Sequence, residues 1–212
     1  MPDLHPTTHL QAAAWVPDDD PERPWEVAAD LAADWIWEHS RIEGVTPLLV
    51  TNTFQNAVGI ECLDEIARRG GQATPQGKRR FDRGPVLAYV PDERTLRLAL
   101  DLARGHSLAA VETVSFPLAE WAAGAEAVNL LDGSTSSSNL PDDVKVDLDH
   151  AVFFGGNNGW TGQHEKQHAR NHLVRHVQAG RLAPEQAAAY VMAKGVSGKG
   201  AKRLRLLLEE AG

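Results

Sequence analysis

From Trp25 to about Ser40, the residues Val27, Leu31 and Trp35, with Ala28 and Ala32, recur at helical spacing. This predicts a helix with one face packed on a body. A strand-then-helix rhythm follows. Pro47 to Thr51 is a short apolar run with a β-branched end, and Val58, Cys62, Leu63 and Ile66 carry helical spacing across 54–69 until Gly70 and Gly71 stop it. Val86 to Val90 is the next predicted strand, closed by Pro91, with Asp92 placed to cap the helix after it. Leu96, Leu98, Leu100 and Leu102 alternate as in a strand, yet Leu96, Ala99, Leu100 and Ala103 share one helical face. With no β-branched residue inside 96–104 and Gly105 as a stop, helix is favoured.

Leu108 to Val114 is the third predicted strand, and Ser115 and Pro117 start a helix reaching about Leu131. A Ser-rich polar loop covers 134–143. Asp149 to Phe154 is the fourth predicted strand, giving way to Gly155-Gly156-Asn157-Asn158-Gly159. Helices over 163–179, 184–194 and 199–211 complete the chain. Strands separated by helices argue for crossover connections and a parallel sheet, and the first three strands are apolar throughout, as strands covered on both faces are. The expected fold is α/β: a Rossmann-like, mostly parallel sheet of about four strands with flanking helices and a C-terminal helical tail. The expected division is an arm over 1–24, an α/β domain over 25–162 and a tail over 163–212.

Composition narrows the class. No apolar run approaches the roughly 18 residues of a spanning helix, and the N-terminal residues lack the blocks of a signal peptide. A single cysteine, Cys62, cannot form an internal disulfide, so a cytoplasmic location is expected. Cys62 falls in an apolar pattern and reads as a small core residue rather than a nucleophile. The net charge of −8 hides an asymmetry: residues 1–162 carry 12 basic against 25 acidic side chains, and residues 163–212 carry 9 against 4. A basic tail on an acidic body needs a negative partner, which is nucleic acid, an acidic protein or the body itself, within or between subunits.

In open α/β sheets ligands bind beyond the carboxyl ends of the strands. There the sequence offers Asn52, Gln55 and Asn56 after one strand, and Gly156, Asn157, Asn158 and Trp160 after another. Amides donate and accept, and suit ribose hydroxyls, base edges or phosphate oxygens; they also cap helices and make turns. The glycine run lacks the Lys-Ser/Thr of a P-loop and the G-x-G-x-x-G spacing, so it is either an anion-binding loop or a strained turn. Glu112, at the end of an apolar strand, is the best-placed carboxylate for acid/base work, or else a strand-end residue turned to solvent.

The tail carries two patterns. His164, His168, His172 and His176 stand four apart, and four residues advance about 400°, so each imidazole is turned only about 40° from the last. His164 to His168 formally matches H-E-x-x-H, which makes His164 and His168 candidate ligands of a divalent metal in a hydrolase. The flanks are polar, and no third ligand is marked, although Asp147, Asp149 and His150 lie upstream. The second pattern runs from Gln186 through Gly195 to Leu204 and resembles a helix-turn-helix rhythm. Its second helix would present Lys199, Lys202, Arg203 and Arg205 to phosphates and bases. The leading expectation is a nucleotide- or nucleic-acid-interacting protein, with a phosphorylated ligand at the strand ends and a basic helical tail. The alternatives are the metal-dependent hydrolase and a non-catalytic homo-oligomer.

Overall fold

The structure, a computed structural model, describes residues 10–77, 79–136 and 140–211. Residues 1–9 of the expected arm, Lys78 of a basic loop and residues 137–139 of the Ser-rich loop lie outside the described residues. The chain divides into an α/β unit, residues 9–118 with 126–136, and a helical unit, residues 119–125 with 137–212. No described helix is long and apolar enough to cross a membrane.

The α/β unit holds six short strands: β1 (Ala13–Val16), β2 (Leu48–Thr51), β3 (Gln72–Ala73), β4 (Val86–Tyr89), β5 (Leu108–Val111) and β6 (Val128–Asn129). All pair in parallel in the order β3-β2-β4-β5-β1-β6. The parallel α/β class is therefore as expected, with six strands rather than about four. The usual dinucleotide-binding order is 3-2-1-4-5-6. Here β1 sits two places further along, between β5 and β6.

Three differences from the sequence reading have local causes. Residues 13–16, read as part of an arm, form β1, because Ala-Ala-Trp-Val is buried on both faces and needs no alternation. The strand expected at 149–154 is instead the end of α5 (Asp142–Ala151) and a π-helical turn over Val152–Gly156. Val144, Leu148 and Ala151, at spacings of four and three, form the buried stripe of α5, and Asp142 and Asp143 favour its positive N-terminal end. The long helix expected from Ser115 to Leu131 shrinks to α4 (Ala119–Gly124); Glu126 then takes φ 52° and the chain enters β6.

Helix α1 (Trp25–Glu43) buries Ala28, Ala29, Ala32, Ala33 and Ile36 against the sheet, joined by Val16, Leu49, Leu87, Ala109 and Val111. The buried stripe is rotated from the Val27–Leu31–Trp35 pattern: Val27 is 47% exposed, while Leu31 and Trp35 flank the seam. Four alanines let the helix axis approach the strands closely, and the larger side chains are pushed to the rim. Burial of Ile36, Leu63 and Ile66 stabilises this layer by about 1.5–3 kcal/mol per side chain. Gly44, in the left-handed region at φ 67°, ends α1 by donating its N–H to Ser40.

Helix α2 (Glu61–Arg69) is shorter than the 54–69 segment expected, since Phe54–Ala57 is a 3-10 turn capped by Thr53 and Asn56. Helix α3 (Glu93–Leu102) is capped as the sequence suggested: Asp92 accepts from Thr95 N at 2.8 Å.

In the helical unit, α6 (Gln163–Gln178) packs on α5 and α8 (Gly198–Glu209), and α7 (Pro184–Ala193) packs on α4 and α8. Every residue of α7 from Ala187 to Ala193 is buried. It is the central helix of this unit.

Candidate functional site

Two strand pairs of the parallel sheet leave their carboxyl ends in opposite directions. The connection from β1 runs through α1 past β5 and β4 to β2, whereas β5 leads the other way, past β1 to β6; β2 and β4 diverge outright, to β3 and to β5. Such switch points are where this class of sheet opens a crevice. At the β1/β5 ends a cavity of about 190 Å³ is lined by Pro17, Asp18, Arg23, Trp25, Glu112 and Val114, among others.

The polar groups of that crevice are engaged by backbone. Glu112 accepts from Asp18 N at 2.9 Å and from Leu118 N. Asp18 in turn accepts from Val114 N at 2.9 Å, and Arg23 donates to Pro17 O and to Asp19 at 2.9 and 2.8 Å. Glu112, the candidate acid/base residue, is thus a clasp between the loops after β1 and β5.

The same holds at the β2/β4 ends. Asn52 donates to Val90 O at 2.9 Å and accepts from Asp92 N at 3.0 Å, so both ends of its amide hold backbone. Val90 lies there at φ 43°, a region β-branched residues rarely enter. Asn56 accepts from both the N–H and the hydroxyl of Thr53. Gln55 is exposed beside them. Cys62 is half-buried, and burial, with a hydrogen bond and the negative charge of Asp30, pushes its thiol up to about 12. That disfavours the thiolate at neutral pH.

The glycine run belongs to the helical unit, and the amides of the strand ends belong to the α/β unit. Trp160, 1% exposed, plugs the turn at φ 53°, and a Cβ on Gly155 would collide with its indole. Gly159 lies against Gly200, where a Cβ would approach the Gly200 Cα at 3.0 Å, and its carbonyl accepts from Arg203 at 3.0 Å. Asn158 accepts from Trp160 N at 3.0 Å and donates to Glu165 at 2.7 Å. Gly156 is buried and Asn157 exposed. The turn is a packing device whose glycines permit close approach.

That engagement of Glu165 bears on H-E-x-x-H, because the carboxylate expected to activate water is held by Asn158. His164 is exposed; His168 is stacked between Phe154, 4.2 Å away, and His172, 4.4 Å away. His164 and His168 are not among the ligand-bearing groups that cluster in the described residues. Three ligand-bearing residues do converge, namely Asp147 and His150 on α5 and His172 on α6, with potential ligand atoms within 4.8 Å of one another. Buried Asp147 accepts from His172 Nδ1 at 2.9 Å, His176 Nε2 at 2.7 Å and Arg175 at 2.6 Å. Burial opposes its charge, but these three donors and the charge of Arg175 outweigh that and hold its carboxyl well below the usual range. Arg181 donates to His176 Nδ1 at 2.6 Å and to Asp143 at 2.9 Å. Arginine can only donate, so the His176 proton sits on Nε2 and points at Asp147.

No family model, curated protein or solved structure matches the chain.

The remaining candidates lie on α8. Ser197 caps this helix by accepting from Gly200 N at 3.2 Å. Ala201, Leu204, Leu207 and Leu208 are its buried stripe. Lys199, Lys202 and Arg203 are exposed on the other side, while Arg205 is half-buried and lies 3.5 Å from Glu209. Four residues, Lys194 to Ser197, join α7 to α8, with Gly195 at φ 84° making the turn.

Proposed function

We propose that this protein binds nucleic acid through the exposed face of α8. The observation that carries the reading is the placement of Lys199, Lys202 and Arg203. They stand at spacings of three and four, so they share one face of the first turns of a helix. That helix follows a short glycine turn and is braced by α7, buried from Ala187 to Ala193, an order of parts like that of a helix-turn-helix. The excess of 9 basic over 4 acidic residues across 163–212 favours the same partner.

Anisotropy of labelled duplex DNA, single-stranded DNA and RNA across a salt series tests this on the full chain and on K199E/K202E/R203E. The expected outcome is binding at low salt that weakens steeply as salt rises, each phosphate contact contributing roughly −0.9 to the log–log slope on duplex DNA. The triple variant should lose it. A wild-type chain that binds nothing at low salt, or a triple variant that binds equally well, overturns the reading.

A second reading, a small-molecule site at the β1/β5 crevice, is favoured by its position at a switch point. Its lining sets Asp18, Asp20 and Glu112 against the single Arg23, which suits a cationic or hydroxyl-rich ligand better than a phosphate. Ligand-detected NMR with nucleotides, polyamines and sugars separates the two. A nucleotide that binds and broadens the Trp25 indole resonance would restore the phosphorylated ligand; no binding by any of these probes would remove the crevice from consideration.

A further inference from the structure

We infer that Asp147, His150 and His172 form a binding site for a divalent first-row transition metal ion such as zinc. The ligand set is two imidazoles and one carboxylate, a combination that such ions take readily and that magnesium and calcium do not favour. The residues come from two helices, Asp147 and His150 three apart on α5 and His172 on α6. Helical geometry therefore fixes the first pair on one face, and the packing of α5 on α6 brings the third ligand to it.

The distances need only a small closure. Ligand bonds of about 2.0–2.1 Å in a tetrahedral shell put ligand atoms about 3.3 Å apart. Here all three lie within 4.8 Å, and Asp147 and His172 are already at 2.9 Å. The ion would replace the proton that His172 Nδ1 now donates to Asp147. His150 is exposed, so its ring can turn in from the solvent side. Three protein ligands leave one position open to water or a ligand.

The surroundings resemble the supporting shell of a metal site. The second carboxylate oxygen of Asp147 is held by His176 Nε2, whose tautomer is set by Arg181. Such outer partners fix a ligating carboxylate in place. The opposing group is Arg175, which lies 2.6 Å from Asp147, but its side chain is 64% exposed and free to turn outward as the ion enters. His168 stacks on the His172 ring and restricts its rotation.

The test is a zinc titration of the EDTA-stripped, chelator-free full chain by calorimetry, repeated with cobalt as a spectroscopic probe. The expected result is one equivalent bound, with proton release visible as a dependence of the heat on buffer, ligand-field bands with cobalt, and a raised midpoint of thermal unfolding. His150→Ala, at an exposed position where the fold should tolerate it, should weaken zinc binding by more than about 100-fold. His164→Ala, which removes the first residue of H-E-x-x-H, should leave it within about twofold of wild type. A wild-type chain that takes up less than about a tenth of an equivalent overturns the site. So does a His150→Ala chain that binds zinc as tightly as wild type, or loss in His164→Ala with retention in His150→Ala.

Discussion

The two units spend their polar side chains differently. In the α/β unit, the residues at the carboxyl edge of the sheet turn back onto the chain: Asn52, Asn56, Asp18 and Glu112 all hold backbone N–H or C=O groups. In the helical unit Lys199 and Lys202 of α8 face outward, Arg203 is exposed while holding one backbone carbonyl, and the carboxylate and imidazoles of α5 and α6 engage one another. The difference follows from backbone accounting. Strands of four residues end in loops whose donors and acceptors have no ladder to join, so nearby side chains must satisfy them. Helices satisfy most of their own backbone, which leaves side chains available for other partners. A polar residue at a strand end is thus weaker evidence of a ligand than the same residue on a helix face.

The largest expected effect tests the interacting cluster. Asp147→Ala removes the acceptor of three donors and leaves His176, fully buried, pointing at nothing. Hydrogen bonds to a charged group contribute about 1.5–3 kcal/mol each, so with three donors affected urea unfolding should show a loss of about 3 kcal/mol or more. A loss under about 1 kcal/mol would mean that the cluster does not hold α5 to α6. A smaller loss is expected from Glu112→Ala, which orphans the N–H groups of Asp18 and Leu118: about 1–3 kcal/mol. If Glu112 were instead poised for catalysis at its own cost, its removal would stabilise the protein. Smaller again is Asn52→Ala, at about 1–2 kcal/mol, since the Val90 carbonyl and the Asp92 N–H lie nearer to solvent. Equal losses at Glu112 and Asn52, each under about 0.5 kcal/mol, would break the contrast between the units.

How much of this was legible in the sequence follows the same division. The four-residue strands β2, β4 and β5 announced themselves because their apolar runs are bounded by Gly, Pro and Asp. β1 did not, since two alanines and a tryptophan between Pro-rich and acidic segments carry no strand pattern until β5 and β6 lie on either side. Two-residue β3 and β6 exist only through their pairing with β2 and β1. Phe153 and Phe154 misled because a β-rich composition was read where a π-helical turn leaves both rings exposed. The histidine ladder was visible, but periodicity along α6 cannot show which face meets α5. Asp147 supplied that information; in the sequence it and His150 stand out only as potential ligands upstream of the ladder, and their three-residue spacing gains meaning once 142–151 is a helix.

The smallest effect sharpens the comparison through pH. His168 is held below its ordinary value by burial first, and then by the positive charge that His172, His150 and His164 would add. Its Nδ1 is buried and finds no hydrogen-bond partner among the described residues, so a second ring proton would have nowhere to go. In the unfolded chain an exposed histidine titrates near pH 6.5. As pH falls through that value the unfolded state takes up a proton that the folded state refuses, so stability is present above about 6.5 and declines below it until the folded value is reached. His168→Phe keeps an aromatic ring stacked between Phe154 and His172 and removes the titration. In the presence of chelator, the unfolding free energy of wild type should therefore fall more steeply than that of His168→Phe between pH 7 and 5. Parallel curves would mean that the ring is solvated in the folded state, and the contrast between a half-buried imidazole stack and an exposed basic face on the same unit would have to be given up.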